Sequence, residues 1–236
     1  MQTLEDILTS IIDDFGKYAK GKDLALIQKI FRACSHQIGR KVKYVNLDNK
    51  AKAHTISQIL SQLYKARLLH PVIHSGASGI PLHSQTNEKI FKILFSDIGL
   101  LCRILGLESI PNDTVIEGVL AEQFIGQELK ALYCTREKPL YYWLREGKAN
   151  NAEIDYVIQK DTEILAVEVK AGHVGKLSSL HQIVATKNLN VGYRFYMGEP
   201  SVDDLDVKVP VKNGFKRVQY KLYSYPLFDC RRWATS

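Results

Sequence analysis

Apolar positions in the first quarter of the chain recur every three or four residues, which is the spacing of helices that bury one face. The pattern predicts a first helix over residues 4–15, with Thr3 as its N-cap and Gly16 as its stop. A second helix is predicted over 24–39 and a third over 51–67. The beginning of the chain is therefore expected to be helical, with a core on the shared apolar side.

Residues 68–83 change to two short extended pieces around a Gly/Ser-rich loop, which predicts a hairpin. Three helices followed by a small hairpin are the elements of a winged helix, a domain that often binds DNA through its third helix. The outer side of the third predicted helix and of the residues just before it carries Lys50, Lys52, His54, Ser57, Gln58, Ser61, Gln62 and Lys65. This polar face suits DNA contact, and it equally suits the solvated face of a domain that contacts proteins.

Strand and helix patterns alternate in the rest of the chain. Residues 89–95 predict a strand, Ser96 is expected to cap a short helix, and the polar segment 108–113 marks a domain boundary. The remaining predicted elements are a helix from Asp113 or Thr114 to 133, strands at 140–144, 153–158 and 164–169, a helix at 176–186, a strand at 191–197, an irregular segment at 201–216 and a last strand at 218–223. This order predicts an α/β sandwich with a mixed central sheet and a division into domains 1–110 and 111–236.

Composition is that of an ordinary globular chain, with 45% of the 236 residues hydrophobic and 24% charged. The net charge of +7 favours an anionic partner such as nucleic acid. No apolar run approaches the roughly 20 residues of a membrane span, and the first residues are acidic where a secretory signal would be basic. The four cysteines form no C-x-x-C pair and predict buried free thiols. We therefore expect a cytoplasmic protein.

Candidate chemistry concentrates in residues 152–172, where a polar turn joins two apolar strands. Asp155 lies in the first strand, and Glu168 and Lys170 lie two apart in the second, where alternation gives them the same face. Ionised groups are unfavourable in such apolar strands unless they are paired or bind something. If the hairpin brings Asp155 alongside Glu168, two carboxylates and an ammonium converge, which suits a divalent metal ion and a phosphodiester.

A fourth candidate, Glu122, lies in the middle of the predicted helix that ends at 133. That helix is apolar on much of its circumference, so a carboxylate there attracts notice. Glu122 is either partly exposed next to small residues such as Gly118 and Gly126, or it belongs to the same site as the hairpin. The motif further along the chain favours the second interpretation.

A helical Glu, a strand Asp and a Glu-x-Lys on the next strand resemble the restriction-endonuclease-like, PD-(D/E)xK nuclease superfamily. The resemblance implies one or two Mg²⁺ (or Mn²⁺) ions held by Asp155, Glu168 and the backbone carbonyl of Val169. Glu122 would complete the metal shell, directly or through water. Lys170 would orient or help to activate the attacking water and offset the charge that develops on the phosphate. The chain has Ile154 where the name-giving motif has proline, as do many superfamily members.

A closer resemblance covers nearly the whole chain. It rests on DDFGKY (13–18), GIPLH (79–83), FKILFSDIGLL (91–101), GVLAEQFIGQEL (118–129), EIDYV (153–157) and EVKAG (168–172). These segments look like the C-terminal half of bacterial and archaeal AAA-type P-loop ATPases, in which a winged helix and a nuclease-like domain of unknown function follow the ATPase. The nearest Walker A candidate, GHVGKLSS (172–179), has two residues between its glycines where four are required. No ATP site is expected in this chain, which is either a fragment of a longer ATPase or a shortened member.

Two functional hypotheses remain open at this point. In the first, the chain is a Mg²⁺-dependent nuclease module whose winged helix positions nucleic acid, with DNA favoured. In the second, the nuclease-like fold is a catalytically silent scaffold or binding module of an ATPase. Asp155, Glu168 and Lys170 would then form a salt-bridged structural cluster. The presence of all four candidate side chains favours the first hypothesis.

Overall fold

The computed structural model describes residues 2–18, 23–107, 114–133, 138–145, 152–173, 175–211 and 214–230. These residues form a mixed α/β structure with seven α-helices and one eight-stranded sheet. The helices are α1 (Gln2–Tyr18), α2 (Leu24–Ser35), α3 (Tyr44–Leu47), α4 (Ala53–Lys65), α5 (Ile98–Ile104), α6 (Thr114–Tyr133) and α7 (Ser178–Lys187). The strands are β1 (Leu69–Ser75), β2 (Thr86–Phe95), β3 (Leu140–Arg145), β4 (Ala152–Lys160), β5 (Glu163–Val169), β6 (Val191–Tyr196), β7 (Ser201–Val211) and β8 (Gly214–Pro226).

One sheet joins the two parts of the chain. Its strand order is β2-β1-β3-β4-β5-β6-β8-β7. The hairpin of β1 and β2 enters through a parallel pairing of β1 with β3, in which Val72 faces Leu140. The predicted winged helix is not confirmed, because this hairpin forms one edge of the central sheet and does not stand apart as a wing.

Apolar clusters on both faces explain why the sheet is buried at its centre. Helix α6 covers one face, and side chains such as Ile125 and Leu129 pack against β1, β3, β4 and β5 there. Helix α7 covers the other face through Leu180, Ile183 and Val184. A third cluster lies among α1, α2, α4, α5 and the outer side of the β1–β2 hairpin. The sheet is therefore a layer between helices, which is the coarse part of the predicted fold. The nuclease-like sandwich itself stays a prediction.

The open edge of β2 is closed by amide side chains of α6. Gln123 is buried; its Oε1 accepts from the Phe95 N–H (2.9 Å), and its Nε2 donates to the Ile93 carbonyl (3.1 Å). Gln127 Nε2 donates to the Phe95 carbonyl (3.1 Å). The side chains take the place of a further strand, so the edge presents fewer unpaired groups to other chains. The same contacts fix α6 against β2.

Several local predictions were wrong. Gly16 does not stop α1, which continues to Tyr18, and the N-cap of α5 is Asp97, whose Oδ1 accepts from the Leu100 N–H (2.6 Å), and not Ser96. The segment predicted to be irregular forms β7 and the start of β8. Its acidic residues and Pro210 obscured an alternating pattern, and both are typical of an edge strand, which β7 is.

Other predictions concern exposure and topology. The polar side of α4 is exposed as predicted, including His54 and Ser57. Cys34, Cys102 and Cys230 are free, whereas Cys134 lies outside the described residues. The predicted domain boundary falls at 108–113, also outside them, and the two-domain division stays a prediction. In the ranges that the structure describes, no helix is both long enough and apolar enough to cross a membrane.

Gly126 sets the distance between α6 and the sheet. A Cβ at this position would lie 2.3 Å from the Tyr156 hydroxyl and 2.7 Å from Leu94 Cδ1, and both of those side chains are buried. We expect Gly126→Ala to reduce the free energy of unfolding by about 1–3 kcal/mol, measured by urea denaturation, because of overpacking. Gly118→Ala, at an uncrowded position of the same helix, is expected to stabilise by about 0.4–1 kcal/mol. A stabilising Gly126→Ala would contradict this account of the packing.

Candidate metal and phosphodiester site

A β-bulge places Asp155. The pairing of β3 with β4 shifts between Tyr141↔Val157 and Trp143↔Ile154, so two residues of β4, positions 155 and 156, lie opposite the single residue 142 of β3. Bulges are over-represented next to active sites, where they re-aim a side chain. The extra residue of β4 lies at Asp155, so the bulge coincides with an acidic side chain of this strand.

Asp155 also contacts the neighbouring strand directly. Tyr156 pairs with Val167 across the β4–β5 hairpin, and one further step of this register puts Asp155 opposite Glu168. Asp155 Oδ2 accepts a hydrogen bond from the backbone N–H of Val169 (2.7 Å). The predicted hairpin thus brings Asp155 to the Glu-x-Lys segment. The two-residue turn at 161–162, with Asp161 in the left-handed region (φ 52°), closes it.

Glu168 is a buried carboxylate with an incomplete set of hydrogen bonds. It is 4% exposed, and Lys170 Nζ donates to its Oε1, in agreement with the predicted shared face. Its other oxygen, Oε2, is buried and has no hydrogen-bond partner within the described part of the chain. An unsatisfied carboxylate oxygen is unfavourable inside a protein unless a ligand takes it up.

Lys92 and its partner Glu153 belong to this region and were not among the residues predicted from the sequence. Lys92 lies on β2, is 2% exposed, and its Nζ donates to Glu122 Oε1 (2.9 Å) and pairs with Glu153 Oε1. Its Nζ also lies 5.3 Å from the centre of the Tyr142 ring. The available signal was a lysine inside the apolar run IFKILF, since a buried ammonium requires acidic partners.

The pKa values of these groups follow from burial and mutual charge. Burial raises the pKa of Asp155 well above its usual range, and the charges of Glu168 and Glu122 raise it further. Burial also raises the pKa of Glu168, although Lys170 opposes the shift. Burial opposes the charge on Lys92, but the surrounding carboxylates outweigh it and raise its pKa. Both lysines therefore stay charged at neutral pH, while Asp155 and Glu168 resist ionisation.

The charges in this region do not balance. Four carboxylates, Glu122, Glu153, Asp155 and Glu168, accompany two ammonium groups, Lys92 and Lys170. If all are ionised, four negative charges minus two positive charges leave a surplus of two. One divalent cation would neutralise this surplus, and the unsatisfied Glu168 oxygen and the Asp155 carboxylate are the hard oxygen ligands that Mg²⁺ prefers.

The predicted ligands Asp155 and Glu168 do not by themselves form a complete coordination shell. Among the described residues, no group of three or more His, Cys, Asp or Glu side chains is placed to hold a metal ion. The structure joins Asp155 to the backbone of Val169 and Lys170 to Glu168 by hydrogen bonds, and Asp155 and Glu168 interact electrostatically across the hairpin. It places Glu122 against Lys92 instead, within electrostatic range of the other two acids. The role of Glu122 as a metal ligand stays a prediction.

Two family models match the chain. Residues 2–110 match a domain of unknown function (DUF8612), and residues 117–213 match a second domain of unknown function (DUF4143). The second domain is typically found C-terminal to AAA ATPases, which agrees with that part of the resemblance noted in the sequence. The comparisons with curated proteins and with solved structures gave no match. Neither description names an activity.

Replacing the buried cation tests the ion-pair arrangement. We expect Lys92→Met to lower the free energy of unfolding by about 2–4 kcal/mol, because it leaves two partly buried carboxylates without their buried partner. Adding Glu122→Gln should recover part of this loss. Lys89→Met, on an exposed position of the same strand, should change stability by less than about 0.5 kcal/mol. Equal effects of Lys92→Met and Lys89→Met in urea denaturation would contradict the arrangement.

The raised pKa of Asp155 gives a prediction with a defined sign. A carboxyl whose folded pKa is raised loses its stabilising contribution as pH rises through that pKa, so ionised Asp155 weakens the fold. In EDTA at mildly alkaline pH, Asp155→Asn should therefore stabilise the protein by about 0.5–2 kcal/mol, and the gain should disappear in acid.

Asp206 provides the matched control. Hydrogen bonds from Arg217 and Gln219 lower the pKa of this exposed carboxyl to about 2, so its contribution to stability is present above its unfolded pKa and is lost only as pH falls through about 2. Asp206→Asn should shift the thermal midpoint in the opposite direction from Asp155→Asn. Destabilisation by both variants would show that Asp155 serves the fold and not a ligand.

Proposed function

We propose that this chain is a Mg²⁺- or Mn²⁺-dependent nuclease module that hydrolyses phosphodiester bonds of nucleic acid. The observation that carries the proposal is the juxtaposition of the half-buried Asp155 with the buried Glu168, two carboxyls whose pKa values are raised, together with the unsatisfied Oε2 of Glu168. A protein that needed this region only for stability would gain from an apolar pair there.

Each residue of the hairpin has a role in this proposal. Asp155 and Glu168 would hold the cation, together with the backbone carbonyl of Val169. When bound, Mg²⁺ lowers the pKa of a water nucleophile and stabilises negative charge on the phosphate. Lys170, held on Glu168 Oε1, is in reach to orient the water and to offset charge on the phosphate as the bond to the leaving oxygen breaks. Glu122 would hold Lys92 charged and in place, or reach the cation through water.

The second candidate is a silent scaffold or binding module of an ATPase. It is favoured by one observation, the ion pairing of Lys92 with Glu122 and Glu153, which uses two of the acids structurally. In this case the region would bind no divalent cation. The match to a domain typically found next to AAA ATPases is compatible with either candidate.

Calorimetric titration with Mn²⁺ and cleavage of plasmid and oligonucleotide substrates distinguish the two. We expect wild type to bind Mn²⁺ and to cleave, Glu168→Gln to lose both, and Lys170→Met to keep cation binding while cleavage falls about 100-fold or more, the size typical for a general acid–base residue. Asp206→Asn should leave both unchanged. If the wild-type protein binds no cation and cuts no DNA or RNA, the nuclease proposal is wrong and the scaffold candidate is favoured.

A further inference from the structure

A row of polar side chains continues from Glu168 across the sheet. Strands β5 and β6 are parallel, with Glu168 in register with Arg194, and β6 and β8 are parallel, with Arg194 in register with Ser224. Residues in register on neighbouring strands share a face of the sheet. The side chain of Arg194 is therefore the next one along from Glu168.

The face of this row is the one that α7 covers. A Cβ at Gly192 would lie 3.1 Å from Leu180 Cδ2 of α7, and Arg194 follows two residues later on the same side. Arg194 thus lies towards the carboxyl ends of β5 and β6. Lys170 is at the same level, since its backbone N–H donates to the Phe195 carbonyl (2.8 Å).

The guanidinium of Arg194 is fixed in place without being neutralised. Its Nη2 and Nε donate to Ser224 Oγ (2.9 and 3.2 Å), and Ser224 is only 1% exposed. Its Cζ lies 4.0 Å from the centre of the Tyr196 ring, whose hydroxyl donates to the Glu199 carbonyl (2.7 Å). Within the described ranges, no carboxylate forms an ion pair with Arg194. A half-buried, oriented guanidinium with donors to spare is the usual means of binding a phosphate.

We propose that Arg194 binds a backbone phosphate of a nucleic acid strand lying across the carboxyl ends of β5 and β6, beside the phosphate that Glu168 and Lys170 address. This inference rests on the proposed function for the class of substrate. It adds a residue that carries affinity rather than chemistry. Lys170 pairs with Glu168, whereas no carboxylate among the described residues pairs with Arg194, so Arg194 is the cation that can add affinity for a second phosphate.

The test measures binding without cleavage. Fluorescence anisotropy of labelled single-stranded and duplex DNA and of RNA, in EDTA at low salt, should show about 10-fold or greater weakening by Arg194→Gln, the effect of one charged hydrogen-bonded contact. The slope of log K against log salt should fall by about 0.7–0.9. Arg194→Lys should recover part of the affinity, and Ser224→Ala should lose part of it. Thermal melting checks that each variant is folded.

Arg217→Gln is the matched control, because it removes one positive charge from an exposed arginine paired with Asp206 on the β7–β8 hairpin. Equal affinity of the Arg194 and Arg217 variants would overturn the inference, as would absence of nucleic acid binding by wild type. The two proposals fail separately. If Arg194→Gln weakens binding but the wild-type protein cleaves nothing, the phosphate site is supported and the proposed nuclease activity is rejected. If the wild-type protein cleaves and Arg194→Gln changes neither cleavage nor binding, the nuclease proposal is supported and the phosphate site is rejected.

Discussion

The structure depends on one buried ammonium group, that of Lys92, which links elements from both parts of the chain. It lies on the marginal strand β2 and contacts Glu122 from α6 and Glu153 from β4. Gln123, next to Glu122, completes the backbone hydrogen bonds of the same strand. Because the ion pairs and the amide contacts all involve β2, the β1–β2 hairpin, helix α6 and strand β4 stabilise one another's positions.

The carboxyl pKa values in the β4–β5 hairpin are shifted in the opposite direction from those in a structural ion pair. In the exposed β7–β8 hairpin, Asp206 and Arg217 form paired hydrogen bonds that lower the pKa of the carboxyl to about 2. Around Asp155 and Glu168 the carboxyl pKa values are raised instead, because burial and like charge outweigh the available cations. Perturbation of this kind concentrates at functional sites, where a ligand supplies the compensation that the fold lacks.

Two cations follow Glu168 in the structure, Lys170 two residues later in the chain and Arg194 in register on the neighbouring strand. Lys170 lies just after the same strand and pairs with the Glu168 carboxylate, while Arg194 on the next strand is held by Ser224 and Tyr196. In the proposals made above, Lys170 serves Glu168 and the reacting phosphate, and Arg194 binds a neighbouring phosphate. The bulge in β4 lies at Asp155, whose carboxylate accepts a hydrogen bond from the backbone N–H of Val169, next to Lys170 in the chain.

The sequence by itself determined the elements and the local part of the site. Helical periodicity located α1, α2, α4 and α6, and strand alternation with a polar turn was sufficient to place Asp155 beside Glu168 and Lys170, because a hairpin and a two-residue spacing are local geometry. Only the tertiary structure decided that Lys92 and Arg194 join them. Their neighbours come from strands and helices far away along the chain, and such register is set by packing of the whole sheet, which no local pattern encodes.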